Sequence, residues 1–133
     1  MKKVIIGIGI GIGSIVLLFG IMFGVMFLGL TQNMKQILEI PINDIDISTL
    51  DDGTYQGTYY FEDQIGATVD VEVLNHQLIS ISFVDHKAGK GIKAEVIVDD
   101  IINEQSVLVD DISGVTTSSH VIKLAIINAV EGE

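Results

Sequence analysis

Residues 67–84 read ATVDVEVLNHQLISISFV, and the fold turns on how this stretch alternates. Ala67, Val69, Val71 and Val73 take every second place, with Thr68, Asp70 and Glu72 between them. A period of two belongs to a strand with one buried and one wet face. Asn75-His76 is a turn signal, and after it Ile79, Ile81 and Phe83 alternate with Ser80 and Ser82. Upstream, Asp52-Gly53 marks another turn. Thr54–Phe61 (TYQGTYYF) is then rich in β-formers, with Gly57 allowing a bulge or a close backbone approach. Strands in sequential order with short turns make an antiparallel meander of about three or four strands.

The period changes after residue 91. Between HKAGKG and NEQS, residues 92–105 place Ala94, Ile97 and Ile101 at helical spacing, although the β-branched run Val96–Val98 lowers helix propensity. A short apolar piece, Ser106–Val109, follows. From about Ser118 to Val130 the chain is apolar on most sides, with Val121, Leu124, Ala125 and Asn128 on one stripe and Ile122, Ile126 and Ile127 off it. Such a helix is largely buried. Two helices and a sheet, segregated along the chain, predict an α+β domain.

Ahead of it, Val4–Leu30 holds 27 residues without a charge. A bilayer core needs roughly 20 apolar residues at helical rise, so this run predicts a transmembrane helix. A cleaved secretory signal is the rival, but the run is about twice a signal core and no A-x-A-like site precedes Thr31. Lys2 and Lys3 flank one side and only Lys35 lies near the other, which predicts a cytoplasmic N-terminus and an extracellular C-terminal domain. The glycines of GIGIGIGIGS lack the spacing of a dinucleotide loop. Gly7/Gly11, Gly9/Gly13 and Gly20/Gly24 do have the small-xxx-small spacing that permits a homodimer through the membrane helix. The expected organisation is an anchor over 1–30, a linker over 31–50 and a folded domain over 51–133. Within the linker, Ile42, Ile45 and Ile47 form at most an edge strand, and the acids are expected to be solvated. Asp44 does not open a calcium loop, because Thr49 stands where that loop needs Gly and Tyr55 where it needs Glu.

Charge excludes several partners. With Lys2 and Lys3 set aside, the remainder holds five lysines, no arginine and all 18 acids, a formal charge of −13. Such a surface repels phosphate backbones and anionic lipid headgroups, so nucleic acid is not a partner. Without cysteine there are no disulfides, thiolate metal sites or lipoprotein anchors.

The stretch DDISGVTTSS, Asp110–Ser119, stands immediately before the last helix and carries far more hydroxyls than a helix start needs. A helix N-terminus offers unpaired N–H groups and a partial positive charge, so it receives anions and phosphate in particular. Gly114 would let backbone approach such a ligand, and Ser113, Thr116, Thr117, Ser118 and Ser119 flank it. The plainer reading is an N-cap with spare hydroxyls in an exposed loop.

This stretch resembles the flavinylation motif of FMN-binding domains related to the C subunit of the sodium-pumping NADH:quinone reductase and the G subunit of the Rnf complex. In that family the pattern runs Asp, any two, Ser/Thr, Gly/Ser, Ala, Thr. The resemblance implies Asp110 as the leading acid, Ser113 and Gly114 as the small pair, and Thr116 as the residue joined to the FMN phosphate, with Thr117 and Ser118 beside it. Val115 departs from the family's alanine and adds a β-branch where a modifying enzyme and a phosphate must both fit. DGTYQG is similar to the opening strand of such domains, and the order of strands, helix, QS, motif and final helix is similar over residues 51–130. The resemblance implies FMN as cofactor and a flavin transferase as modifying partner. It further implies electron transfer to membrane or extracellular redox partners, without substrate chemistry of the protein's own. Tyr55, Tyr59, Tyr60 and Phe83 are candidates to pack near the flavin ring, against the plainer reading as core. The alternative to the whole is a flavin-free domain of this kind serving as an extracellular interaction or structural module. A Ser/His/Asp hydrolase built on His120 lacks a nucleophile elbow. His76 and His86 are expected at strand ends facing solvent.

Overall fold

Gly53–Phe61 (β1), Ile65–Leu74 (β2) and Gln77–Lys87 (β3) form one antiparallel sheet in the order β1-β2-β3 in a computed structural model. It describes residues 2–132, with side chains given for all of these except 2–12 and 30–33. The side chains of Lys2, Lys3 and Thr31, and the first two glycine pairs apart from Gly13, lie outside the described residues. Ala67, Val69, Val71 and Val73 are each at most 1% exposed, so the alternation in β2 puts the expected face inside. Burying each valine stabilises by about 1.5–3 kcal/mol. Asn75 and His76 both take positive φ (52° and 60°) between the paired residues Leu74 and Gln77. A two-residue turn of this kind matches the twist of its strands.

β3 departs from simple alternation. Ile79, expected inside with Ile81 and Phe83, is 45% exposed, whereas Leu78 is buried. The pairing explains why: Glu72 faces Ser80 and Val73 faces Leu78, which leaves Ile79 as an extra residue. A second slip between Thr68 and Val69 leaves Val84 over in the same way. Each bulge exchanges the two faces, so Leu78, Ile81, Phe83 and His86 all turn inward although their spacing is not two throughout.

Gly89–Val96 forms a 3-10 segment that leads into Ile97–Glu104 (α2). The expected stripe is present, with Ala94, Ile97 and Ile101 fully buried, but the first half winds more tightly than an α-helix. Gln105 closes α2 in a left-handed conformation. Its amide then serves the edge of β3: Oε1 accepts from the Leu78 N–H at 2.7 Å, and Nε2 donates to the Leu78 carbonyl at 2.9 Å. A side chain thus takes the place of a neighbouring strand for one residue.

Thr116–Glu131 (α3) lies over the inner face of β1 and β2. Val121, Ile122, Ala125 and Ile126 are fully buried, as an all-round apolar pattern requires. The helix comes so close to β1 that a Cβ on Gly57 would lie 2.1 Å from the Ala125 carbonyl oxygen and 2.2 Å from the Ala129 nitrogen. Asn128 Nδ2 donates to the Thr58 carbonyl at 2.9 Å and ties the same contact. The architecture is therefore α+β, with a three-stranded sheet.

The chain divides into two compact units, Met1–Gln36 and Ile37–Glu133. Lys2–Leu38 is one long helix (α1), and its stretch Gly13–Leu38 is long and apolar enough to cross a membrane. Ile15, Leu17, Phe19 and Phe23 on it are all more than half exposed. The second unit takes in residues 37–50, part of the segment expected as a linker. Ile37, Ile45 and Ile47 are buried in its core, and Ile47–Thr49 forms a short 3-10 turn. Asp44 is not simply solvated: its carboxylate accepts from Ser106 Oγ at 2.8 Å and from the Val107 N–H at 3.1 Å. His120 Nε2 donates to the Ile40 carbonyl at 2.8 Å.

Candidate functional site

The motif folds as a braced turn ahead of α3. The Val115 N–H donates to the Ile112 carbonyl at 3.1 Å across Ser113 and Gly114, and Gly114 has φ of +82°. A positive φ at the third place of such a turn is the reason for glycine there. Ser119 Oγ accepts from the Ile112 N–H at 3.0 Å and donates to the Val115 carbonyl at 3.2 Å. On the other side, Lys123 Nζ donates to the Val109 carbonyl at 2.5 Å and to Asp111 Oδ1 at 2.8 Å.

The hydroxyls separate by role. Val115 holds the N-cap position with no side-chain cap, so the cluster is not an ordinary cap with spares. Ser119 braces the turn. Ser118 is 4% exposed and packs against Gly91, where a Cβ would lie 1.9 Å from its Oγ. Ser113 and Thr116 are exposed and Thr117 is half-buried. The first turn of α3 carries no acid, although helix starts favour one.

Ser113, Gly114 and Val115 line a cleft of about 450 Å³ together with Lys90, Ile92 and Lys93 of the 3-10 segment. Thr116 follows directly on Val115 in the chain and is itself not among the residues lining this cleft. Lys90 and Lys93 are exposed, and among the described residues neither joins an ion pair. Two cations facing a helix start that lacks both a cap and a carboxylate form a donor set suited to an anion such as phosphate. The residues present fit the phosphate end of FMN.

Asp110 lies apart from that group. It is exposed and lines a second cleft with Asp100, Asn103, Glu104, Ser106 and Leu108. The four aromatic candidates do not line the cleft beside Gly114. Tyr55 donates to the Asp51 carbonyl, and Tyr59 packs half-buried on the core, where burial pushes its phenol upward. Tyr60 donates to Asp85, which holds its phenol above the ordinary range, and Lys87 sits over its ring at 5.4 Å. Phe83 stacks on His86 with ring centroids 5.2 Å apart.

His86 does not face solvent. Its side chain is 3% exposed, and Nδ1 donates to Glu95 Oε1 at 2.8 Å, which ties β3 to the 3-10 segment. The inward turn follows from the second bulge in β3. His76 is exposed, as expected of a strand end, and donates from Nδ1 to the Leu50 carbonyl. His120 is engaged by backbone rather than by a hydroxyl. Among the described residues, no three His, Cys, Asp or Glu side chains gather as a metal site.

Lys90, Lys93 and Lys123 escape a motif-based reading. For the first two a signal is present: three of the five lysines after Lys3 fall within residues 87–93 of a strongly acidic chain. No family model, curated protein or solved structure matches this chain.

Proposed function

We propose that the chain is a membrane-anchored, extracytoplasmic flavoprotein that carries FMN as a phosphoester on Thr116 for electron transfer. The observation that carries this reading is the pair of lysines, Lys90 and Lys93, which join no ion pair among the described residues and line the cleft with Ser113, Gly114 and Val115, directly ahead in the chain of an exposed Thr116. In a domain so rich in acids, two lysines beside an uncapped helix start offset the repulsion a phosphate would meet. Lys90, Lys93 and the first backbone amides of α3 would hold the phosphate, and Ile92 and Val115 offer apolar surface beside it. Bound FMN supplies one- or two-electron transfer. A flavin transferase is the modifying partner: the Thr116 Oγ–P bond would form as the phosphoanhydride bond of a flavin dinucleotide breaks, its nucleoside monophosphate leaving and the hydroxyl proton passing to solvent, and the electron donors and acceptors are membrane or extracellular proteins.

In-gel fluorescence under ultraviolet light, after co-expression with a flavin transferase, tests the assignment. The denatured full-length band should fluoresce, and Lys90→Ala/Lys93→Ala should lower its flavin content by about tenfold, the loss of one to two charge-assisted contacts. A dark parent band alongside a modified control substrate would instead support the flavin-free module. The absence of aromatic residues from the cleft is the observation that favours that second reading.

The anchor is assigned to α1, with the N-terminus cytoplasmic, and glycine spacing in the helix permits a homodimer. Protease added to intact cells, or to protoplasts where a wall blocks access, should remove the region after Thr31. Complete protection of that region would place the domain on the wrong side.

A further inference from the structure

The Lys123 ammonium is an unusual choice on α3. It stands between Val121, Ile122, Leu124 and Ala125 in the buried stretch of the helix that follows the polar Ser118, Ser119 and His120, and its side chain is only 7% exposed. An apolar residue there would avoid desolvating an amine, and replacing a buried ion pair by well-packed apolar groups is often neutral or stabilising. Stability alone therefore does not account for it. What Lys123 does accomplish is geometric. Its Nζ reaches the Val109 carbonyl and the Asp111 carboxylate, two points on the chain entering the Ile112–Val115 turn, while Ser119 secures the other end at Ile112 and Val115. Lys123 and Ser119 are four residues apart and so lie on one helix face. The turn is clamped at both ends to one side of α3, and its exit is Thr116.

We infer that Lys123 is a positioning residue for the acceptor hydroxyl: through Asp111 and Val109 it holds the 109–115 loop so that Thr116 meets the flavin phosphate and the modifying enzyme in one geometry. This role rests on the reading of Thr116 given above. It differs from it in naming a residue outside the motif, which acts without touching the cofactor.

The test uses the full-length chain in detergent. Amide exchange across residues 109–115 is measured on unloaded protein, and flavin incorporation is measured with a transferase present. Lys123→Met should leave the chain folded with a lowered unfolding midpoint, because Asp111 and the Val109 carbonyl lose their donor, and it should speed exchange in the loop selectively and slow flavin incorporation by at least about tenfold, because small misplacements of a reacting group are costly. Lys123→Arg, which keeps the charge and the donors, should restore much of both. Unchanged loop exchange in Lys123→Met overturns the positioning role, and so does faster exchange with undiminished incorporation. A parent chain that never takes flavin overturns the Thr116 reading, and this role with it, whereas failure of the Lys123 role alone leaves a parent that loads normally.

Discussion

Thr116→Ala should lose all covalently retained flavin, read as in-gel fluorescence, while its stability stays within about 0.5 kcal/mol of the parent. The expectation of a small cost comes from the position of the residue. Thr116 is exposed, it begins α3, and the cap position before it belongs to Val115. Removing an exposed hydroxyl that caps nothing leaves no buried group unsatisfied. Thr117→Ala and Ser118→Ala should both retain flavin, the second because its hydroxyl is turned toward Gly91 and away from solvent. Ser119→Ala separates stability from attachment differently. It strips the Ile112 N–H and the Val115 carbonyl of a shared partner, so a loss of about 1–3 kcal/mol is expected, together with poorer loading. Under the proposed function, Asp110→Ala should reduce modification without destabilising, because Asp110 is exposed on a separate cleft and stands where the resembled motif has its leading acid. Val115→Ala, which supplies the alanine of the motif this stretch resembles, should load at least as well as the parent. Flavin kept by Thr116→Ala and lost from Thr117→Ala would shift the acceptor by one residue.

These contrasts also mark where sequence reasoning reaches and where it stops. The inward face of β2 is legible because a regular strand converts alternation directly into burial, residue by residue. β3 is not, because a bulge leaves composition untouched and changes only the count; nothing in LISISFV marks Ile79 and Val84 as the residues without partners. The segment 37–50 misleads for another reason. Mixed acids and isoleucines read as a solvated tether, but Asp44 has its partners at Ser106 and Val107, more than sixty residues away in sequence. Long-range satisfaction of a carboxylate has no local signature. At the candidate site the motif is legible as a pattern of small and hydroxyl residues. The division of labour among its hydroxyls is not, since capping, bracing and exposure follow from where α3 begins, and helix starts are uncertain by a residue or two from sequence. The cation pair was legible as a cluster but lay in a different element, with nothing local to assign it to Gly114.

The largest effect on the fold is expected at Gly57. Glycine in a strand interior weakens the strand unless something else needs the space. Here α3 needs it: a Cβ at Gly57 would stand 2.1 Å from the Ala125 carbonyl oxygen, 2.2 Å from the Ala129 nitrogen and 2.6 Å from the Ala129 Cα. All three are backbone atoms of a helix whose Val121, Ile122 and Ile126 side chains are locked into the core, so no side-chain rotation relieves the contact. α3 must lift from β1, which also pulls Asn128 from the Thr58 carbonyl. Overpacking a close-packed interior costs about 1–3 kcal/mol when side chains can yield, and more when backbone must move. Gly57→Ala should therefore lose at least about 3 kcal/mol, and Gly57→Val, with two further methyl groups, should not fold, against a total stability of about 5–15 kcal/mol for a domain of this size. Gly53→Ala is the control: it lies on the same strand, a Cβ there meets nothing within 4 Å, and its stability should change by no more than about 0.5 kcal/mol. Urea unfolding of the full-length chain in detergent, followed by near-ultraviolet tyrosine signals, reports on the sheet alone, since all three tyrosines are in β1 and none is in α1. Equal midpoints for Gly57→Ala and Gly53→Ala would mean that α3 does not rest on β1 at that residue. The turn at 112–115 would then no longer be fixed relative to the sheet, because α3 is what carries it.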